Sequence, residues 1–416
     1  MDGNPLVDPP PVAGMNAEEL AARVTAGELR LHELEQHADA DVAAEARRRL
    51  LTDATGADLD AVGEYTFAAA DAEPNIENMI GAAQLPMGVV GPIELDGGAA
   101  AGETYLPLAT TEGALVASVN RGCAAMRAAG SASARVLKNA MTRAPVFRVG
   151  DVAEAATVSA WVRENVDALA EAAEATTSHG ELREVTPYVV GDNVFVRFGY
   201  DTKDAMGMNM ATIATEAACD VIEAETPAEL VALSGNLCSD KKPAAINSVE
   251  GRGRTVAADV LIPHDVVESY FKTTADAIAE ANTRKNLVGS AKAGALGFNA
   301  HAANTIAAAF LATGQDAAQV VEGSNAITTA DARNEGLYAS LTIASLEVGT
   351  VGGGTKLPTQ AAALDVVGVR GGGDPAGANA DALAEVICTA ALAGELSLLG
   401  ALASNHLASA HEELGR

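Results

Sequence analysis

The order of predicted elements between residues 145 and 235 constrains the fold more than any other feature of the sequence. PVFRV predicts a strand, and the alanine-rich stretch 151–176 predicts a helix. Apolar residues alternate in PYVVGDNVFVRFGY around Gly191-Asp192-Asn193, which is a hairpin signal. MNMATIATEAACDVIEA and LVAL then supply a second helix and a last strand. The order strand, helix, strand, strand, helix, strand predicts a split βαβ, ferredoxin-like unit inserted into a larger domain.

The flanking sequence mixes helices with short strands, which indicates the α+β class. Four prolines in residues 2–12 predict a disordered segment or an extended arm. Asn16 precedes Ala17-Glu18-Glu19, a capping-box arrangement that opens a helix, and charged helical segments continue to Arg49. The other predicted elements are strands and turns over 74–107, a helix after Thr110-Thr111-Glu112-Gly113 and an amphipathic helix near 381–411.

The charge balance limits the partners of this 416-residue chain. Asp and Glu number 56 against 27 Lys and Arg, a formal net charge of −29, which disfavours nucleic acid and anionic lipid. The shortage of lysine relative to arginine favours a salt-rich cytoplasm, and an ordinary acidic enzyme is the alternative. The four cysteines form no CxxC pair and no secretory signal follows Met1, so we expect a reduced, cytoplasmic protein without a membrane span.

The segment DTKDAMGMNM, residues 201–210, lies where the hairpin leads into a helix. Backbone N–H groups at such a helix start can bind a phosphate, and Gly207 lets a ligand approach. The alternative is an ordinary helix start whose methionines lie in the core. The sequence has no GxGxxG fingerprint that would predict a Rossmann dinucleotide site.

Adjacent lysines in SDKKPAAIN suggest anion binding or electrophilic catalysis, because this chain otherwise avoids lysine. Lys241 could stabilise an oxyanion; a solvated charge cluster is the alternative. Glu112 is a candidate proton donor if it lies near another carboxylate, such as Asp316. His411 on the last helix is either a proton donor or a surface histidine. No metal site is predicted.

Taken together, these segments resemble the soluble catalytic part of class I 3-hydroxy-3-methylglutaryl-CoA (HMG-CoA) reductases, of a halophilic archaeal type. The resemblance runs from about Glu77 to Arg416 through ENMIGAAQLPMGVVGP, TTEGALVASVNRGC, DAMGMNM, SDKKPAAIN, GQDAAQ, GTVGGGT and AGELSLLGALASNH. It implies a large helical/β domain around a central helix, with an inserted ferredoxin-like NADP-binding domain. The resemblance implies a small helical N-terminal domain over 1–80, with a disordered arm 1–14. The substrate/CoA domain is implied over 81–144 and 244–416. The cofactor domain is implied over 145–233, and an active-site loop over 234–243.

The resemblance also implies a reaction: the four-electron reduction of HMG-CoA to mevalonate and CoA with NADPH, in isoprenoid synthesis. It implies a homo-oligomer, a dimer or a tetramer of two dimers, whose active sites are shared between subunits. The implied catalytic residues are Glu112 as proton donor, Lys241 as oxyanion stabiliser and His411 for thiolate protonation. Asp316 is implied to hydrogen-bond both Glu112 and Lys241 and to tune their pKa values. The implied substrate residues are Arg143, Ser234, Asp240, Lys242, Lys285 and Asn304, with Ser118, Asn120 and Arg121 on the CoA side. The implied cofactor residues are Asp204, Met206, Gly207, Met208 and Asn209.

The sequence departs from the family at the position that grips the cofactor's 2′-phosphate. Ser178 and His179 stand where many members have Ser and Arg, and Lys203 is a hypothetical replacement for the missing charge. We nevertheless expect NADPH. Two other functions are compatible with the motifs: a CoA-thioester hydrolase or lyase that uses the same Glu, Lys and Asp without hydride, and a catalytically silent binding protein.

Overall fold

The computed structural model describes residues 14–414, with side chains up to Ser404. Most of the arm predicted over 1–14 therefore lies outside the described residues. The chain divides into two compact units, Met1–Pro86 and Met87–Arg416.

The first unit is helical. Asn16 caps its first helix as the sequence predicts, because its side chain accepts from the Glu19 amide while the Glu19 carboxylate accepts from the Asn16 amide. Leu20 and Leu34 are fully buried in a small core. Its elements are α1 (Ala17–Thr25), a 3₁₀ helix (Leu31–Gln36), α2 (Ala40–Thr55), α3 (Asp60–Gly63) and α4 (Ala69–Ala72).

The second unit is built on one sheet of ten strands. The strands are β1 (Met87–Gly97), β2 (Ala101–Ala109), β3 (Ala132–Arg143), β4 (Val146–Arg148), β5 (Glu181–Val190), β6 (Asn193–Asp201), β7 (Glu229–Ala232), β8 (Gly253–Pro263), β9 (Ile327–Arg333) and β10 (Gly336–Leu346). The helices are α5 (Leu115–Ala129), α6 (Val152–Glu164), α7 (Val166–Glu174), α8 (Met208–Glu225), α9 (Ala245–Val249), α10 (His264–Phe271), α11 (Ala275–Ala281), α12 (Ser290–Ala293), α13 (Ala302–Thr313), α14 (Val320–Gly323), α15 (Pro358–Val367) and α16 (Ala378–Leu414). A π-helix (Asn282–Gly289) and 3₁₀ helices (Ala317–Gln319 and Gly353–Lys356) complete it.

Strands β4 to β7 confirm the ferredoxin-like prediction. They pair in the order β7-β4-β6-β5, and all three pairings are antiparallel. Apolar residues of the strands, of α6, of α7 and of α8 bury a core of their own. The single helix predicted over 151–176 is wrong in one respect: it breaks at Asn165. The Asn165 side chain donates to the Trp161 carbonyl at 2.8 Å, and this local bond competes with a continuous helix.

The rest of the sheet, β1 to β3 and β8 to β10, packs on the buried helices α5 and α16. Leu115, Val119, Cys123 and Met126 of α5 are buried at helical spacing, as predicted. The amphipathic character expected of the last helix is wrong for its described part. Residues Ala378–Ser404 are apolar enough to span a membrane, but 83% of their most apolar window is buried within the protein. This helix is therefore the centre of the core.

Candidate active site

The loop that carries Lys241 has an unusual backbone. Asn236, Ser239 and Lys241 have φ values of 62°, 50° and 58°, in the left-handed region that non-glycine residues rarely adopt. The loop connects β7 to α9 and presents Lys241 at the surface. A strained conformation of this kind persists only where its surroundings hold it, and such strain is common at functional sites.

Lys241 and Asp316 form an ion pair, as the sequence analysis expects. The Lys241 Nζ lies 2.7 Å from Asp316 Oδ2. Asp316 Oδ1 accepts from the Ala318 amide at 3.1 Å, so the carboxylate also caps a 3₁₀ helix and has a fixed orientation. The bond to Asp316 raises the pKa of Lys241 above its usual value. The ammonium therefore stays charged at neutral pH and can donate to an oxyanion.

Glu112 makes a second pair, with Asn304. Asn304 Nδ2 donates to Glu112 Oε1 at 3.1 Å, and the Glu112 amide donates to Thr110 Oγ1 at 3.0 Å. Within the described residues of one chain, Glu112 makes no hydrogen bond with Asp316. The expectation that Asp316 bonds both Lys241 and Glu112 therefore holds only for Lys241 in a single chain. The carboxyl group and the ammonium belong to two separate pairs.

Glu395, which the sequence analysis had not identified, fixes the element that carries Asn304. Its buried carboxylate accepts from the amides of Ala300 (2.6 Å) and His301 (2.7 Å) and from the Thr328 hydroxyl (2.7 Å). These bonds neutralise the start of α13, two residues before Asn304. The only sequence signal was a carboxylate in an apolar helix.

The predicted cofactor segment, residues 201–210, brings Gly207 to the start of α8, as expected. Gly207 has a φ of 89°, and a Cβ there would lie 2.2 Å from the Thr202 side chain. No described side chain caps the N-terminus of α8, so backbone donors remain there for an anion. Met206 and Met208 pack partly buried against the ferredoxin-like core, as the alternative interpretation expected, whereas Asn209 is exposed.

Asp204 is buried, and its carboxylate is used within the protein. Oδ2 accepts from the amides of Gly373 (2.9 Å) and Gly377 (2.7 Å), and Oδ1 accepts from that of Ala380 (3.1 Å). The Asp204 carbonyl also accepts from the Thr350 amide at 2.7 Å. Asp204 therefore joins the predicted cofactor segment to two glycine-rich stretches, 351–355 through the Val351 amide (3.3 Å) and 368–377 through the amides of Gly373 and Gly377.

The residues considered for the 2′-phosphate lie at the surface. Ser178 and His179 are exposed in the turn before β5. The Lys203 ammonium is 2.6 Å from Asp201 Oδ2 and 3.5 Å from Glu181 Oε2. These carboxylates raise the pKa of Lys203 and partly neutralise its field.

Several predicted substrate residues surround the Lys241 loop. Ser234 Oγ lies 3.6 Å from Cys238 Sγ, and Lys242 Nζ donates to the Asp240 carbonyl at 2.9 Å. Arg143 Nε is buried and has no partner among the described residues, which fits an anionic ligand. Lys285 instead lines a separate groove of about 500 Å³ with Ala277, Glu280, Ala281, Arg284, Leu402 and Ala403.

The three residues expected on the CoA side are held by bonds within the chain. Ser118 Oγ lies 2.8 Å from Ser397 Oγ, and Arg121 Nη2 donates to the Ser397 carbonyl at 2.9 Å. Asn120 donates to the Val89 carbonyl at 3.1 Å and accepts from the Gly91 amide at 2.8 Å. These bonds tie α5 to α16 and to β1. His411 lies outside the residues whose side chains the structure describes.

A buried charge cluster behind the Lys241 loop was also missed. The Arg252 guanidinium is fully buried and lies 3.0 Å from Asp240 Oδ1, 3.4 Å from Glu322 Oε1 and 3.0 Å from Glu347 Oε1. Burial raises the pKa of Glu322, and it raises the pKa of Glu347 to about 8 against the attraction of Arg252. The described residues hold no cluster of three or more His, Cys, Asp or Glu suited to a metal ion.

An α+β fold with an inserted ferredoxin-like subdomain, joined to a strained loop whose Lys–Asp ion pair can stabilise an oxyanion, fits an enzyme that acts on a carbonyl group. The family model "Hydroxymethylglutaryl-coenzyme A reductase" matches residues 43–416. The chain belongs to this family of oxidoreductases.

Relatives and solved structures agree with this assignment. The chain is 71% identical to the 3-hydroxy-3-methylglutaryl-coenzyme A reductase of Haloferax volcanii, over 96% of this chain and 100% of that protein. It is also 71% identical to that of Halobacterium salinarum, over 96% and 99%. A class II 3-hydroxy-3-methylglutaryl-CoA reductase from Streptococcus pneumoniae, solved bound to NADPH, superposes with a TM-score of 0.66 over 93% of this chain and 97% of that chain at 20% identity. That likeness confirms the fold.

Proposed function

We propose that this chain reduces HMG-CoA to mevalonate and CoA with two equivalents of NADPH, in the mevalonate pathway of isoprenoid lipid synthesis. The observation that carries the proposal is the Lys241–Asp316 ion pair, on a loop joined through Arg252 to the start of α8. Membership of the reductase family supports the substrate. The NADPH-bound neighbour supports the cofactor.

The start of α8 would hold the dinucleotide. The positive φ of Gly207 and the uncapped first turn offer backbone donors to a phosphate, and Asn209 is exposed beside them. NADPH, when bound, supplies hydride to the thioester carbonyl and later to the aldehyde. We propose that Met206, Gly207, Met208 and Asn209 contact it, that Asp204 shapes the segment, and that Ser178 and His179 lie toward its 2′-phosphate.

Lys241 would stabilise the oxyanion that forms when the thioester carbonyl is reduced. Its raised pKa keeps it a cation, and Asp316 fixes the direction of its donors before the substrate arrives. A preorganised charge of this kind is worth roughly 3–4 kcal/mol of barrier in comparable oxyanion sites. Glu112, held by Asn304, would donate the proton in the aldehyde step. We propose that His411 protonates the departing CoA thiolate.

Cationic groups would anchor the anionic substrate. We propose that Arg143, Ser234, Asp240, Lys242, Lys285 and Asn304 hold the hydroxymethylglutaryl group. The buried Arg143 Nε, which has no partner among the described residues, supports this. Lys285 lines a separate groove in one chain, so its part in the proposal rests on the family motif alone. Ser118, Asn120 and Arg121 would meet CoA at the start of α5, where their bonds to neighbouring elements fix their positions.

The two separate pairs favour a shared site. Because Lys241 bonds Asp316 and Glu112 bonds Asn304 within one chain, we propose that Lys241 of one subunit meets Glu112 of its neighbour in a dimer or a dimer of dimers.

The cofactor domain would span 145–233, between the parts 81–144 and 244–416 of the substrate domain. We propose a cytoplasmic location; within the described residues, the one helix long and apolar enough to span a membrane is mostly buried in the core.

The direct test is the loss of NADPH absorbance when HMG-CoA is added in high potassium chloride, with NADH compared. Lys241→Ala is expected to abolish oxidation while CoA still binds. Lys272→Ala is a matched control, because Lys272 also has a left-handed backbone (φ 57°) and is exposed. Release of CoA thiol without NADPH oxidation would instead indicate a hydrolase or lyase and would overturn the proposal.

A further inference from the structure

The buried Arg252 joins parts of the chain that the proposed reaction must bring together. It immediately precedes β8, and its side chain is 0% exposed. Its guanidinium reaches Asp240 in the Lys241 loop and also the sulphur of Met208, the first residue of α8. One rigid side chain therefore links the catalytic loop to the cofactor segment.

Glu322 holds the Lys241 backbone from the same segment that holds its ammonium. Glu322 Oε1 accepts from the Lys241 amide, while Asp316, six residues earlier, accepts from Lys241 Nζ. A left-handed residue costs roughly 1–2 kcal/mol relative to a right-handed one, so this conformation needs such a tether. Glu322 therefore fixes the backbone of Lys241, and Asp316 fixes its ammonium group.

The charges of the cluster suit a fixed tether. Arg252 faces the carboxyl groups of Asp240, Glu322 and Glu347, and the Cys238 thiol lies nearby. Burial raises the pKa of Glu347 to about 8 and also raises that of Glu322. Among the fully buried groups, Glu322 and Glu347 are the two carboxyl groups that face Arg252. Removing Glu322 would leave a buried cation less compensated.

We propose that Arg252 and Glu322 are positioning residues for the reduction proposed above: together they fix the backbone of Lys241 so that its ammonium meets Asp316, and they tie its loop to the first turn of α8. The inference rests on the proposed function for its catalytic consequence. Neither side chain is assigned a contact with the substrate. Their effect is exerted through Lys241.

The test compares Glu322→Ala, Glu322→Gln and the control Glu385→Ala. Glu385 is an equally buried carboxylate that accepts three backbone amides at residues 98–100, away from this cluster. Glu322→Ala is expected to lower kcat by about 100-fold, as for loss of one oxyanion donor. Glu322→Gln is expected to lose less than about tenfold, because its amide oxygen still accepts from Lys241. Dissociation constants for CoA are expected to stay unchanged.

A second readout does not depend on turnover. If Lys241 loses its contact with Asp316, the pKa of Lys241 falls, and more of its amine is neutral at pH 9. Because only the neutral amine reacts with acetic anhydride, a fall of one pKa unit makes acetylation about tenfold faster. Mass spectrometry measures the acetylation of Lys241. Glu322→Ala should show this increase, and Glu385→Ala should not. Equal kcat losses in both alanine variants with unchanged Lys241 acetylation would overturn the inference. If Glu322→Ala does not fold, Glu322→Gln decides the question. A kcat loss above 100-fold in Glu322→Gln, with Lys241 acetylated at the same rate as in the wild type, would overturn the inference equally. Wild-type protein that lacks NADPH oxidation would refute the proposed function, while the acetylation result would still decide the positioning role.

Discussion

Substituting Asp204→Asn separates a structural role of this residue from direct contact with the cofactor. The carboxylate accepts three backbone amides, two at Oδ2 and one at Oδ1, all from the segment around residues 373–380. The best orientation of an asparagine keeps its oxygen at the Oδ2 position. Its NH₂ group then faces the Ala380 amide, donor against donor.

The cost follows from these bonds. An unsatisfied buried donor costs about 1–3 kcal/mol, and each of the two remaining bonds loses about 1 kcal/mol when its acceptor is no longer charged. We therefore expect a loss of about 4 kcal/mol. At about 2 °C per kcal/mol for a large domain, the melting temperature should fall by about 8 °C.

Scanning calorimetry at fixed, high potassium chloride measures this fall. Asp220→Asn is the control: Asp220 is exposed on α8, so its substitution should change the free energy of unfolding by about 0.5 kcal/mol or less. An Asp204→Asn protein that melts at the wild-type temperature and shows only a raised KM for NADPH would refute the reasoning. Asp204 would then be a cofactor ligand and not an anchor of the glycine-rich segments.

Three further predictions concern charge. Burial raises the pKa of Glu347 from 4.5 to about 8, so the folded wild-type protein holds a proton that the unfolded chain releases. The wild-type melting temperature should therefore fall as the pH rises from about 5 to about 8. Glu347→Gln should remove this part of the pH dependence of the melting temperature. A variant with the same slope as wild type would contradict this. Lys203→Ala should raise the KM for NADPH less than threefold, because Asp201 and Glu181 already pair with Lys203; a tenfold rise would assign it to the 2′-phosphate. Dilution into low salt should dissociate the proposed oligomer or unfold the chain, because its net charge of −29 is then less screened. Circular dichroism and light scattering measure this, and unchanged signals in low salt would contradict the prediction.

Local signals made most of the fold predictable. The Asn16 capping box, the hairpin at Gly191-Asp192-Asn193 and the helix after Gly207 each depend on neighbours within a few residues. The break at Asn165 was not predicted, because it depends on a side-chain bond to the Trp161 carbonyl that helix propensity does not indicate. The buried character of α16 was missed because its polar residues, such as Glu395, are paired inside the core.

The sequence motifs of the candidate site were predictable, but the buried residues that hold its loop in position were not. Lys241 and Asp316 stand out because lysine is scarce and because their motifs resemble a known family. The partners of Arg252 lie 12, 70 and 95 residues away, so no spacing rule joins them. A buried ion cluster of this kind becomes visible only when the chain is folded.

The central claim is that an active site takes Lys241 from one subunit and Glu112 from another, and mixed oligomers test it most directly. Lys241→Ala and Glu112→Gln proteins are each expected to be inactive; co-expressed and randomly assorted, they should regain about a quarter of wild-type NADPH oxidation, because half the dimers then contain one intact site. A mixture as inactive as its parents would place both groups in one subunit and contradict the account.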